Sequence, residues 1–147
     1  MRIGLRIVVV SCLMALGAGL ARAEDAAMKA WQEASTPGEA HKVLEPLAGQ
    51  WSYTMTMRMA PDSAPETTMG TTVNTLVNGG RFLKQDVRGE FAGQPFEGLG
   101  YLGYDNLRKE YQSVWLDNMS TALITSTGQN DPATKTLTEK GEHSCPM

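Results

Sequence analysis

From Trp51 to Met59 the chain alternates without a miss. The odd positions Trp51, Tyr53, Met55, Met57 and Met59 are apolar or aromatic, and the even positions Ser52, Thr54, Thr56 and Arg58 are polar. Side chains of a strand alternate between faces with period two, so this pattern predicts a half-buried strand with one face on a core and one in water. Gly49 precedes it in a Gly-x-Trp head, just after a short helical stretch, an arrangement that suggests a meandering barrel.

The rest of the chain supplies partners for such a strand. Thr67 to Val77 predicts a second strand with Met69, Thr71, Val73, Thr75 and Val77 on one face. Asn78-Gly79 is a hairpin signal, since a type I′ turn needs positive φ at both central residues. Arg81 to Arg88 predicts the return strand, Gly89 to Pro95 a turn, and Phe96 to Tyr104 a fourth strand. Gly98, Gly100 and Gly103 within that strand suggest a bulge or a barrel corner. Glu110 to Leu116, Ser120 to Thr127 and Thr134 to Glu142 predict three more strands, with Gly128 to Pro132 a loop. Seven short strands after a helical lead predict a mainly β fold, an antiparallel meander forming a barrel or partial barrel. Closing an up-and-down barrel takes about eight strands. The chain is therefore expected to be incomplete at its C-terminus, or to pair its last edge with another chain.

Two helical stretches come first. Asp25 to Ala34 places Ala27, Ala30, Trp31 and Ala34 on one face. Thr36-Pro37-Gly38-Glu39 reads as a capping box that opens a short helix over Ala40, Val43, Leu44 and Leu47, which would plug one barrel end. His41, between charged neighbours, is expected in solvent, and Trp51 is expected to pack against this lead.

The first 23 residues read as a secretory signal peptide. Arg2 and Arg6 precede the apolar run Ile7–Leu20, and Ala21-Arg22-Ala23 matches an A-x-A cleavage site. The rival, lipoprotein processing before Cys12, leaves an apolar region shorter than such signals need. The expectation is a periplasmic or secreted protein, with residues 24–36 a helical lead and 37–147 a single β domain. Removing residues 1–23 takes away Arg2, Arg6 and Arg22 and no acid, which moves the net charge of −3 to about −6. An acidic chain without a basic patch argues against nucleic acid and anionic membrane surfaces as partners. Cys145 alone would remain, so no internal disulfide is expected.

Four stretches together carry a resemblance: His41 to Trp51, Asn78 to Leu83, Gly98 to Asn106, and Tyr111 with Val114 to Asp117. In combination they resemble a bacterial family catalogued as domain of unknown function 1579, over about residues 37–142. That family is similar to the calycins, the barrel group of lipocalins and fatty-acid-binding proteins. The resemblance implies an internal cavity and implies no reaction. Members of the family continue past the position of Met147 with further strands.

The leading functional expectation is a barrel that binds a small apolar or amphipathic molecule. Its expected lining is Tyr53, Met55, Met57, Met69, Val73, Leu83, Tyr101 and Trp115. One alternative is an interaction module that pairs through an open strand edge, with self-association as one form of it. Another is an enzyme of unknown reaction, against which stands the lack of a Gly-x-Ser-x-Gly elbow, a His-Glu-x-x-His helix and a phosphate loop. Asp105 and Asp117 follow strand ends, where aspartates cap turns more often than they act as an acid–base pair. No cofactor is expected. The minor options are copper on Met55, Met57, Met59 and Met69, and haem or another metal through His41 or His143-x-Cys145.

Overall fold

The computed structural model describes residues 22–58 and 62–144. Most of the expected signal peptide, and Met59, Cys145 and their expected roles, lie outside these residues. The chain divides into two units, Met1–Thr36 and Pro37–Met147.

In the first unit a helix, α1, covers residues 22–35. Lys29 and Glu33 pair across one turn at 3.8 Å, and Met28 and Trp31 are exposed. The Thr36 hydroxyl donates to the Gln32 carbonyl at 2.6 Å. Thr36 thus closes α1 rather than opening the next helix, a correction to the capping-box expectation.

The second unit opens with α2 (Glu39–Lys42) and a 3-10 turn (Glu45–Leu47). Gly38 takes the N-cap position of α2, and its N–H donates to Nδ1 of His41 at 3.0 Å. Seven strands follow: β1 (Gly49–Met57), β2 (Glu66–Val77), β3 (Phe82–Phe91), β4 (Gln94–Asp105), β5 (Glu110–Asp117), β6 (Ile124–Asp131) and β7 (Thr136–Gly141). They form one antiparallel sheet in sequence order. The sheet curls into a half-barrel, in which β1 and β7 are the two edges among the described residues.

Three element boundaries depart from the pattern in the sequence. The β2–β3 loop has four residues, Asn78 to Arg81, because the ladder closes at Val77 with Phe82. Asn78, Gly79 and Gly80 all have positive φ, and Arg81 donates back to the Asn78 carbonyl at 3.0 Å. Gly89 to Pro95 is mostly strand, turned tightly at Ala92-Gly93, where φ is 49° and 74°. β6 begins at Ile124 and runs through Gly128 to Asp131, where a loop was expected. Asp117 Oδ1 accepts the N–H groups of Met119 and Ser120, which holds the residues before β6 in a turn. Asp131 does the same for Ala133, so the next turn starts only there.

Cross-strand register defines two faces. The inner face carries Leu83, Leu102 and Tyr111, which with Leu44 of the lead form the core. β4 contains no bulge: its register with β3 and β5 is continuous. Gly98 and Gly100 instead lie under the indole of Trp115, which a Cβ on Gly98 would overlap. Gly70 and Gly89 lie in the same way under the ring of Tyr53. Each large ring occupies the space of a missing side chain on the neighbouring strands, so no void is left beside these glycines.

Candidate functional site

The inner face has a sealed end and an open end. At the sealed end Leu44 and Leu83 are fully buried, and Leu102 and Tyr111 nearly so. A helix end leaves carbonyls without intrahelical partners. Here the sheet supplies donors to the lead. Tyr111 Oη donates to the Ala40 carbonyl at 2.8 Å, and Asn74 Nδ2 and Trp51 Nε1 both donate to Leu47, at 2.9 and 3.0 Å. Trp51 therefore fixes the lead through its indole N–H while half of it stays exposed.

His41 is buried at this end, a correction to the expectation of a solvated side chain. The alternation of charges around it misleads because α2 is only one turn long, and His41 within it and Leu44 just after it, three residues apart, both face the sheet. Its ring meets Tyr104 edge-on at 5.8 Å. Burial, the largest cause, lowers its pKa below the ordinary imidazole value; Arg81 adds to this, and backbone hydrogen bonds at Tyr104 and Gly38 oppose it. With Nδ1 accepting the Gly38 N–H, this histidine packs against the sheet and caps α2.

At the open end the inner face is half-buried and bounds a cleft of ≈ 630 Å³. Met55 and Met57 line it from β1, Phe91 and Phe96 from the β3–β4 hairpin, and Asp117, Met119, Ser120 and Ile124 from the β5–β6 region, with His143 after β7. Residues of the first strand and of the last turns share one cleft because the sheet curls its two margins toward each other. Phe96, which lines the cleft, stacks on Trp115 of the ring-on-glycine floor with centroids 6.3 Å apart. The hydroxyls of Thr68 and Ser120 are buried and have no hydrogen-bond partner among the described residues.

The eight expected lining residues separate into three groups. Met55 and Met57 line the cleft, and Tyr53 and Trp115 lie on the same inner face, where they form a ring-on-glycine floor outside the cleft lining. Leu83 lies on the inner face too, but in the sealed core. Met69, Val73 and Tyr101 lie on the outer face: Met69 pairs with Thr54 and Tyr101 with Lys84, and Met69 is 73% exposed. Period two shows that Met69 and Val73 share a face but not which face turns inward. The inward row of β2 holds Gly70, whose space Tyr53 fills. Met69 accordingly does not join Met55 and Met57 in a thioether cluster. Tyr101 lines a separate outer groove of ≈ 420 Å³ with Phe82 and Val114. Phe91, Phe96, Met119 and Ile124 were missed. Continuing the alternation Leu83, Gln85, Val87, Gly89 by one step reaches Phe91, so Gly89 read as a turn is what hid it.

Asp105 and Asp117 do not form a catalytic pair. Asp105 pairs with Glu110 at the start of β5 and Asp117 ends it, which separates them by roughly 23 Å at about 3.3 Å per residue. Asp105 accepts N–H groups from Arg108 and Leu107, and these hydrogen bonds, the Arg108 one first, lower its pKa, the opposite of what a general acid needs. Asp117 also accepts Trp115 Nε1–H at 2.8 Å. Among the described residues no group of three or more His, Cys, Asp or Glu side chains is placed to hold a metal ion.

A seven-stranded meander curled into a half-barrel, sealed at one end by a short helix and open at the other over an apolar cleft, is a calycin-like partial barrel. The chain belongs to the DUF1579 family, described as proteins of unknown function, whose model matches residues 36–147. No curated protein and no solved structure matches it. No helix among the described residues is long and apolar enough to cross a membrane.

Proposed function

We propose that the open cleft binds a small apolar or amphipathic molecule. The observation that carries this reading is a concentration of half-buried apolar side chains at the end of the inner face opposite the one that α2 and Leu44 seal. Its ≈ 630 Å³ falls within the roughly 300–1,000 Å³ of small-molecule sites. Binding would draw on burial of ligand surface, at roughly 25 cal/mol per Å². An uncharged fluorescent probe, N-phenyl-1-naphthylamine, tests it: saturable enhancement is expected, lost in Met57→Arg and kept in Val73→Arg on the outer face. Equal binding by both variants would refute the site.

A second reading is favoured by the edges. β1 is nine residues long with no proline and no charge from Gly49 to Met57, whereas β7 is six residues and carries Glu139 and Lys140. Long uncharged edges invite pairing with another strand. A partner or second copy added on β1 would place its own residues beside Met55 and Met57. A lysine at Thr54 is expected to abolish such pairing, seen as a loss of concentration-dependent mass in light scattering.

The residues before Glu24 support action outside the cytoplasm, after removal of a signal segment. An N-terminus beginning at Glu24 in protein taken from the host would support export; one beginning at Met1 would oppose it.

A further inference from the structure

The charges on the sheet are sorted by face. The seven strands carry Lys84, Arg88 and Lys140 and no other lysine or arginine. All three are on the outer face, where Lys84 pairs with Asp86 at 2.9 Å and Arg88 with Glu97. The inner face carries Glu66, Asp117 and Glu139, in register with Met57, Gly98 and Gly128, and no lysine or arginine. None of these three acids pairs with a lysine or arginine among the described residues. Glu66 flanks Met55 and Met57 at the mouth, and Asp117 lines the cleft. Asp117 already has three donors, from Trp115, Met119 and Ser120.

An anionic head buried here would give up its hydration, meet no lysine or arginine from the inner face of the strands and stand near two carboxylates. Both effects oppose binding, and both are stronger in a half-buried cleft than in bulk water. A head that donates hydrogen bonds and bears no negative charge meets the opposite conditions. Glu66 can accept from it, and both carboxylates attract it if it is an ammonium. The apolar tail would lie along Met55, Met57, Phe91 and Phe96.

Resting on the binding role proposed above, we infer that the cleft selects single-chain amphiphiles with a donor head, an amine or alcohol, and rejects carboxylates. The fatty-acid option within the calycin resemblance is thereby the disfavoured one.

The test is displacement of N-phenyl-1-naphthylamine from the mature protein by decylamine, decanol and decanoate at pH 8, where ordinary imidazoles are neutral. Decylamine is expected to compete at least about tenfold better than decanoate, with decanol between them, and the gap should narrow in high salt. Glu66→Lys should bring decanoate up about tenfold relative to decylamine. Decanoate within about threefold of decylamine in the parent protein would overturn the head-group inference and leave the binding cleft standing. Failure of the probe and all three competitors would remove both. Circular dichroism of the variant, unchanged from the parent, keeps its result interpretable.

Discussion

The two ends of one inner face do different things with the same kinds of residue. At the sealed end the lead lies on the sheet, Leu44 and Leu83 lose all contact with water, and the free carbonyls of Ala40 and Leu47 are answered by Tyr111, Asn74 and Trp51. At the open end methionines and phenylalanines of equal hydrophobicity stay half-exposed, and two buried hydroxyls lack partners. A sealed core satisfies both its apolar surface and its polar atoms; the open end satisfies neither. That difference separates residues that hold the fold from residues available for another molecule.

The sharpest break of this comparison is a truncation in the sealed end. Leu83→Ala and Leu44→Ala should each cost roughly 2–5 kcal/mol, because a fully buried leucine leaves a cavity that neighbours refill only in part. Urea unfolding followed by far-UV circular dichroism measures it. Costs below about 1 kcal/mol would mean that the lead does not seal the sheet in solution.

The glycine floor comes next. Gly98→Val places a Cβ bearing two methyl groups where the Trp115 ring lies, so the ring must leave or the strands must part. Overpacking of this kind costs about 1–3 kcal/mol, with loss of the near-UV signal of Trp115. Gly38→Ala, with nothing near the added carbon, is the control: it meets no clash, and only the poorer capping of α2 by alanine should lower stability, by less than the Gly98 change.

A smaller effect tests the polar fit. Tyr111→Phe removes the donor to the Ala40 carbonyl and should cost about 1–2 kcal/mol, since the carbonyl is left without its partner. His41 tests the same region through pH. Its folded pKa is depressed, so the unfolded chain binds the proton more readily. Stability is then complete above the unfolded value, about 6.5, and falls as the pH drops from there toward the folded value. Asp105 and Asp131, whose pKa values are also lowered, lose their contributions only in more acidic solution. A urea midpoint that falls between pH 7 and pH 5.5 in the parent protein, and stays flat in His41→Gln, is the expected result. The same slope in both would place the titration elsewhere.

Much of this architecture was legible in the chain. The polarity of β1 differs so sharply between its faces that Tyr53, Met55 and Met57 could be placed together on the inside. Hairpin order followed from the spacing of turn residues. What was hidden depends on pairs of strands. Gly70 and Gly89 make β2 and β3 look as if they turn their poorer faces inward, because the volume they lack is supplied by Tyr53 from β1. Gly98 and Gly100 suggest a corner for the same reason, while Trp115 fills them from β5. Side-chain volume is shared across the ladder, and single-strand periodicity cannot register a loan between neighbours. The turns that moved β6 were hidden differently: Asp117 and Asp131 set its limits through side-chain bonds to backbone N–H groups, which leave no periodic trace.

The smallest expected effect on stability belongs to the open end. Met57→Ala removes a half-buried side chain from a cleft that water already enters, so no closed cavity forms. The loss should stay under about 1 kcal/mol. The same change removes a wall of the proposed binding surface and should weaken uncharged probe binding severalfold. The contrast with Leu83→Ala carries the argument: one truncation lowers stability and the other lowers affinity. If Met57→Ala instead unfolds the protein as readily as Leu83→Ala, Met57 is core, the open end is sealed in solution by something that covers β1, and the cleft is an interface between strands rather than a site for a small molecule.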